Sequence, residues 1–179
     1  MKIVTWNVNS VKARLPHLLK WMALESPDVL LLQELKCMTE AFPYEPIEDM
    51  GYNVAALGQK TYNGVAILSK YPIEDVVYGL PTLQEDVPQA RYIEALVGTT
   101  RVASVYVPNG QEVGSPKFSY KMDFFKALQA HIQTLLAYGE YLVIAGDYNV
   151  APYPTDMHDP TLSGQDRILC SSQEQTALR

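Results

Sequence analysis

Two short apolar runs, residues 29–32 and 141–145, most restrict what this chain can fold into. Each is too short for a helix and is bounded by polar residues. That pattern predicts a strand buried on both faces rather than one face of an amphipathic helix. Each run also ends in polar side chains, Gln33-Glu34 after the first and Gly146-Asp147-Tyr148-Asn149 after the second. A third β-type stretch, residues 2–8, carries Ile3, Val4, Trp6 and Val8 and delivers Asn7 near its end. Acids and amides gathered at strand ends are where open sheets place their ligands.

Helical spacing recurs between these strands. From Val11 the apolar positions Leu15, Leu18, Leu19 and Met22 follow at threes and fours, with Asn9-Ser10 as the cap, Pro16 near the first turn or at a bend, and Ser26-Pro27 as the stop. A longer stripe of Phe118, Met122, Phe125, Leu128, Ile132, Leu135 and Leu136 predicts a helix from about residue 117 to 138, closed by Gly139. Its His131 is expected on the exposed side. Residues 42–51 read as an irregular connection with at most a short helix. Strands are expected over 52–57, 63–69, 73–78, 91–97 and 101–107, and a helix begins at Ser171. No repeat or linker divides the 179 residues, so a single domain over 1–179 is expected.

Composition excludes several classes. With 47% apolar and 19% charged residues the chain is neither disordered nor fibrous. Cys37 and Cys170 form no C-x-x-C pair, which argues against a disulfide framework or a thiolate zinc site. The longest apolar run falls far below the ~20 residues of a membrane span, and the start of the chain lacks a signal-peptide layout. A soluble cytoplasmic protein with no membrane partner is expected. The formal net charge of −6 argues against a surface that clings to nucleic acid everywhere, while leaving room for a local basic face or a bound cation.

Asn7, Glu34, Asp147 and Asn149 supply oxygen donors without histidine or thiolate, a set suited to Mg²⁺ or Mn²⁺. Singly, an acid at a strand end is more often a turn former or helix cap; the combination carries the weight. Lys36, Lys60, Asn63, Arg91 and Asn109 are candidates for substrate contact, each with a solvated surface or turn residue as the alternative. His17, His131 and His158 carry no pattern of a catalytic base, and Cys37 reads as inert.

Five blocks make the reading specific: Thr5-Trp6-Asn7-Val8-Asn9-Ser10-Val11, Leu32-Gln33-Glu34-Leu35-Lys36, Asn63-Gly64-Val65-Ala66-Ile67-Leu68-Ser69-Lys70, Val105-Tyr106-Val107-Pro108-Asn109-Gly110 and Gly146-Asp147-Tyr148-Asn149-Val150-Ala151-Pro152. In that order they resemble the signature blocks of the exonuclease III family of abasic-site endonucleases, within the endonuclease/exonuclease/phosphatase superfamily. Residues 156–160 also resemble that family's aspartate-rich segment. The resemblance implies an α/β (α+β) fold of two mixed β-sheets packed face to face between helices, a four-layer sandwich. It implies that Glu34 is the principal ligand of Mg²⁺ or Mn²⁺ with Asn7 beside it, and that Asp147 is an acid/base group or second ligand. Asn149 would hold the phosphate, also standing in the metal set, and Tyr106 would contact the phosphate or the attacking group. The substrate implied is double-stranded DNA with abasic or 3′-blocked sites.

The resemblance ends with the chain. The family continues into further strands and an Asp-His pair with no counterpart here, so a truncated form with an incomplete second sheet is expected, its open edge covered by the missing C-terminal segment or another chain. Two other readings stay open: a superfamily phosphoesterase acting on a non-DNA substrate, and a shortened paralogue that binds DNA or protein without hydrolysis.

Overall fold

The computed structural model describes residues 1–162 and 167–179. Contacts gather these into two compact units, one of Met1–Leu80, Glu85–Tyr106 and Leu135–Asp147, the other of Pro81–Gln84, Val107–Thr134 and Tyr148–Arg179. Both are assembled from segments remote in the chain.

The first unit holds two mixed sheets, the α/β architecture that the resemblance implied. One sheet has the order β1-β2-β4-β3, formed by β1 (Ile3–Asn7), β2 (Val29–Gln33), β3 (Asn53–Leu57) and β4 (Val65–Ser69). The other has the order β5-β6-β7-β8, formed by β5 (Glu74–Tyr78), β6 (Tyr92–Val97), β7 (Thr100–Tyr106) and β8 (Tyr141–Asp147). Each sheet contains one parallel pair, β1 with β2 and β7 with β8, and is otherwise antiparallel. A parallel pair needs a long crossover, which helix α1 (Val11–Glu25) provides between β1 and β2. Ser10 caps α1 by accepting from the Ala13 amide, and Ser26 ends it in the left-handed conformation. Pro16, expected near the first turn or at a bend, lies inside α1 just past its first turn.

Alternation along the strands separates two apolar layers. Val29, Leu31, Val65 and Ile67 face Ile93, Ala95, Val97 and Val102 of the other sheet. Leu30, Leu32, Ala66 and Leu68 face Val11, Leu18 and Met22 of α1. All five residues of β2 are therefore buried, as its unbroken run predicts. The second run differs from expectation. Tyr141 is exposed and the rest of β8 only half-buried, because β8 stands at the end of its sheet, paired with β7 alone among the described residues.

The connection expected over residues 42–51 contains the short helix α2 (Tyr44–Glu48). The second unit contains most of helix α3 (Pro116–Leu136) and helix α4 (Ser172–Leu178). The stripe on α3 holds for Phe118, Phe125, Leu128 and Leu135, whereas Leu136 is exposed. His131 is buried, correcting its expected exposure: with Phe124, Leu128 and Leu135 it falls at steps of four, three and four along one face. Lys121 is also wholly buried. Helix α4 starts with a reciprocal cap in which the Ser171 hydroxyl accepts from the Glu174 amide and the Glu174 carboxylate accepts from the Ser171 amide.

Candidate active site

Strand register brings four of the sequence-derived residues together in the first unit. Asn7 pairs with Gln33 across β1 and β2, placing Glu34 one residue past the ladder. Tyr106 pairs with Asp147 at the end of β7 and β8. The Asn7 carboxamide Nδ2 donates to Glu34 Oε1 at 2.9 Å and to Asp147 Oδ2 at 2.8 Å, bridging the two carboxylates. The Tyr106 hydroxyl donates to the same Glu34 oxygen at 3.0 Å.

Glu34 leaves its strand in the left-handed region, φ 55°, flanked in space by Asn9, Ser10 and Lys36 in the same region. Backbone bonds hold this turn: Ser10 N–H donates to Glu34 O at 2.8 Å, Leu35 N–H to Gly64 O at 3.2 Å and Lys36 N–H to Asn63 O at 2.9 Å. Gly64 is required there, since a Cβ would lie 2.7 Å from Leu35 Cβ. Non-glycine residues held at positive φ cost about 1 kcal/mol each, a cost that concentrates at functional sites.

Lys36 Nζ lies 2.9 Å from Glu34 Oε2 and donates to Asn9 Oδ1 at 2.5 Å. Burial pushes the Glu34 carboxyl up, but hydrogen bonds from Asn7, Lys36 and Tyr106 and the Lys36 charge outweigh it and hold the group below its ordinary value. Burial, then the Glu34 charge and hydrogen bond, push the Tyr106 phenol up to about 12. The site thus holds an ionised glutamate beside a neutral hydroxyl. Glu34, Asp147 and Asn7 could hold a cation: the donors are hard oxygens, and two carboxylates suit an ion that keeps several waters. Among the described residues no group of three or more His, Cys, Asp or Glu stands together; the two carboxylates joined here through the Asn7 amide are Glu34 and Asp147.

The other candidates are used differently. Arg91 lies over the Tyr106 ring at 4.9 Å and donates to Tyr106 O at 3.3 Å and to Gln89 Oε1 at 2.8 Å, so it braces the tyrosine. Asn63 is buried and donates to Gln59 and Gln89. Lys60 is exposed on the loop before it. Asn109 and Asn149 belong to the second unit, where Asn109 Oδ1 accepts from the Gln111 amide and Asn149 Nδ2 donates to Val107 O at 2.9 Å. Cys37 is buried and burial raises its thiol, in keeping with an inert role. Asn9 was read as part of the cap and of the first signature block, and its bond to Lys36 had no signal in the sequence.

The model of the endonuclease/exonuclease/phosphatase family matches residues 4–177. The chain belongs to that family. Within the endonuclease/exonuclease/phosphatase family it is 37% identical over 163 residues to exodeoxyribonuclease III of Haemophilus influenzae, covering 88% of this chain and 60% of that one. The structure of the 3′-5′ exonuclease NExo of Neisseria meningitidis superposes with a TM-score of 0.94 at 44% identity, over 99% of this chain and 69% of that one. An AP endonuclease from Archaeoglobus fulgidus superposes with a TM-score of 0.91 at 35% identity, over 99% of this chain and 68% of that one. The exonuclease III resemblance is thereby borne out. The chain spans about three fifths of the length of the Haemophilus relative.

Proposed function

We propose that the chain carries the core of a DNA-repair phosphodiesterase that hydrolyses the backbone 5′ to an abasic site, with 3′→5′ exonuclease and 3′-phosphatase action at the same centre, assisted by Mg²⁺ or Mn²⁺ in a reducing cytoplasm. The observation that carries this reading is the single amide of Asn7 bridging Glu34 and Asp147, with the Tyr106 hydroxyl on Glu34. The names of the relatives, an exodeoxyribonuclease, a 3′-5′ exonuclease and an AP endonuclease, support the substrate and reaction class.

Hydrolysis of a phosphodiester needs a positioned water, a base for its proton and donors where charge develops. Glu34, ionised at neutral pH, together with Asn7 would hold the cation, which supplies polarisation of a phosphoryl oxygen when bound. Asp147 is assigned the general base, oriented by the Asn7 amide. Tyr106 stays protonated, and its hydroxyl, bonded to Glu34 in the free site, would contact the phosphate. Asn149, two residues beyond Asp147 in the chain, is assigned a phosphate donor by the resemblance.

The test is cleavage of a labelled duplex carrying one abasic site by the purified chain, with Mg²⁺ or EDTA, beside Glu34→Ala prepared identically. Incision with Mg²⁺ that EDTA and Glu34→Ala abolish is expected. A folded parent that incises neither this duplex nor a 3′-phosphorylated one overturns the reading.

A further inference from the structure

Behind the site lies a polar layer that the proposed chemistry does not use, buried at Gln33 and Ser104 and reaching the surface at the exposed Thr5. Thr5, Gln33 and Ser104 stand on β1, β2 and β7, just ahead of Asn7, Glu34 and Tyr106 along those strands. Gln33 is 1% exposed and Ser104 wholly buried. Gln33 Oε1 accepts from Thr5 Oγ1 at 3.2 Å, and its Nε2 donates to Leu31 O at 3.1 Å and to Ser104 Oγ at 2.9 Å. Ser104 Oγ then donates to Leu32 O at 2.8 Å. The layer ties β1 to β2 within one sheet and β2 to β7 across the two.

Its surroundings are the apolar filling between the sheets, Val29, Leu31, Val65 and Val102. Polar groups in such a place cost free energy unless bonded, and an apolar pair of the same shape would hold the sheets about as well. Cohesion therefore does not account for them. Apolar side chains are non-directional and tolerate small slips of one sheet over the other, whereas these bonds have fixed length and direction. The bonds lie one or two residues from side chains that must meet from separate strands.

We propose that Gln33, through Ser104 and Thr5, is the positioning residue of the site: its bond to Ser104 sets the register of one sheet on the other so that Glu34 meets the Tyr106 hydroxyl and Asn7 meets Asp147, and its bond to Thr5 holds β1 beside β2 where Asn7 meets Glu34. It acts through those side chains and touches no reacting atom. Its catalytic consequence rests on the proposed reading of Glu34 and Tyr106.

The experiment compares the parent with Gln33→Met/Ser104→Ala, which replaces both partners of the cross-sheet bond by apolar groups, and with Ser104→Ala as the milder variant should the pair not fold. Three readouts are taken: thermal melting, the side-chain amide resonances of Asn7 in ¹⁵N-labelled protein, and kcat and KM on the abasic duplex. The pair is expected to melt within a few degrees of the parent, to shift the Asn7 resonances and to lower kcat by roughly 10- to 100-fold with KM within about twofold. Unmoved Asn7 resonances, or an unchanged kcat in a folded variant, overturn the proposal. A parent without any cleavage overturns the functional reading instead, and the Asn7 resonances then decide the positioning on their own.

Discussion

Opposing physical effects meet at Glu34. Its backbone sits at positive φ, its carboxylate is partly withdrawn from water, and donors from Asn7, Tyr106 and Lys36 converge on it. Because its folded pKa lies below the ordinary 4.5, the ionised form stabilises the fold. That contribution is complete above the unfolded value and is lost as pH falls through the folded one. Melting temperatures of parent and Glu34→Gln measured across the acid range should therefore differ most near neutrality and converge below about pH 4. A gap that widens on acidification would contradict the assigned direction. Tyr106 is complementary: with its phenol pushed up to about 12 it stays a donor at neutral pH. Tyr106→Phe removes that donor and should lower kcat by about 100- to 1,000-fold, of the order seen when a charge-stabilising donor is removed. The kinetic assay on the abasic duplex would reveal an unaffected rate, which would reduce Tyr106 to a packing residue.

At the level of elements, two close approaches have measurable consequences. Gly146 brings β8 so near β7 that an added Cβ would lie 1.9 Å from Val105 O, and no rotamer relieves a clash with backbone. Gly146→Ala should push the end of β8 outward, moving Asp147 from Asn7. A loss of about 2 kcal/mol or more in denaturant unfolding is expected, and a neutral result would mean that β8 yields freely. Within the second unit, Lys121 of α3 and Glu174 of α4 form a fully buried ion pair at 2.5 Å. Lys121 Nζ also donates to Asn109 O at 3.2 Å and Asn149 O at 2.7 Å. Taking away one partner strands a buried charge, so Lys121→Met should cost about 3–5 kcal/mol, whereas Lys121→Met/Glu174→Leu should recover much of it. Equilibrium unfolding of the three proteins separates these outcomes; a double variant no better than the single would show that the carbonyl contacts, rather than the charge, dominate.

For the molecule as a whole, the edge of the second sheet is the exposed liability. β8 is paired on one side only among the described residues, its side chains are half-buried, and Leu136, Tyr138 and Tyr141 nearby in the chain are exposed. Unpaired apolar edges associate, and lysine on an edge opposes this. Sedimentation velocity of the chain should show mass rising with concentration, reduced by Tyr141→Lys; equal behaviour of the two would show that the edge is not the contact. Much of the architecture was legible in one dimension because its signals are local. The unbroken run of β2, the spacing and caps of α1 and the polar residues at three strand ends require only neighbours in sequence. Convergence is another matter. The Asn7 and Asp147 side chains meet across 140 positions, and only strand pairing brings them together. The same holds for Arg91 bracing Tyr106, for Asn63 turning inward, for the burial of Lys121, and for His131, which was expected on the exposed side of its helix and is buried. The amino-acid sequence by itself determined which segments are strands and helices and which side chains could do chemistry, since periodicity and side-chain type are properties of short stretches. The tertiary structure alone decided which of them share one oxygen of Glu34 and which serve as scaffolding, because hydrogen bonds reach about 3 Å and depend on the register of strands that are distant in the chain.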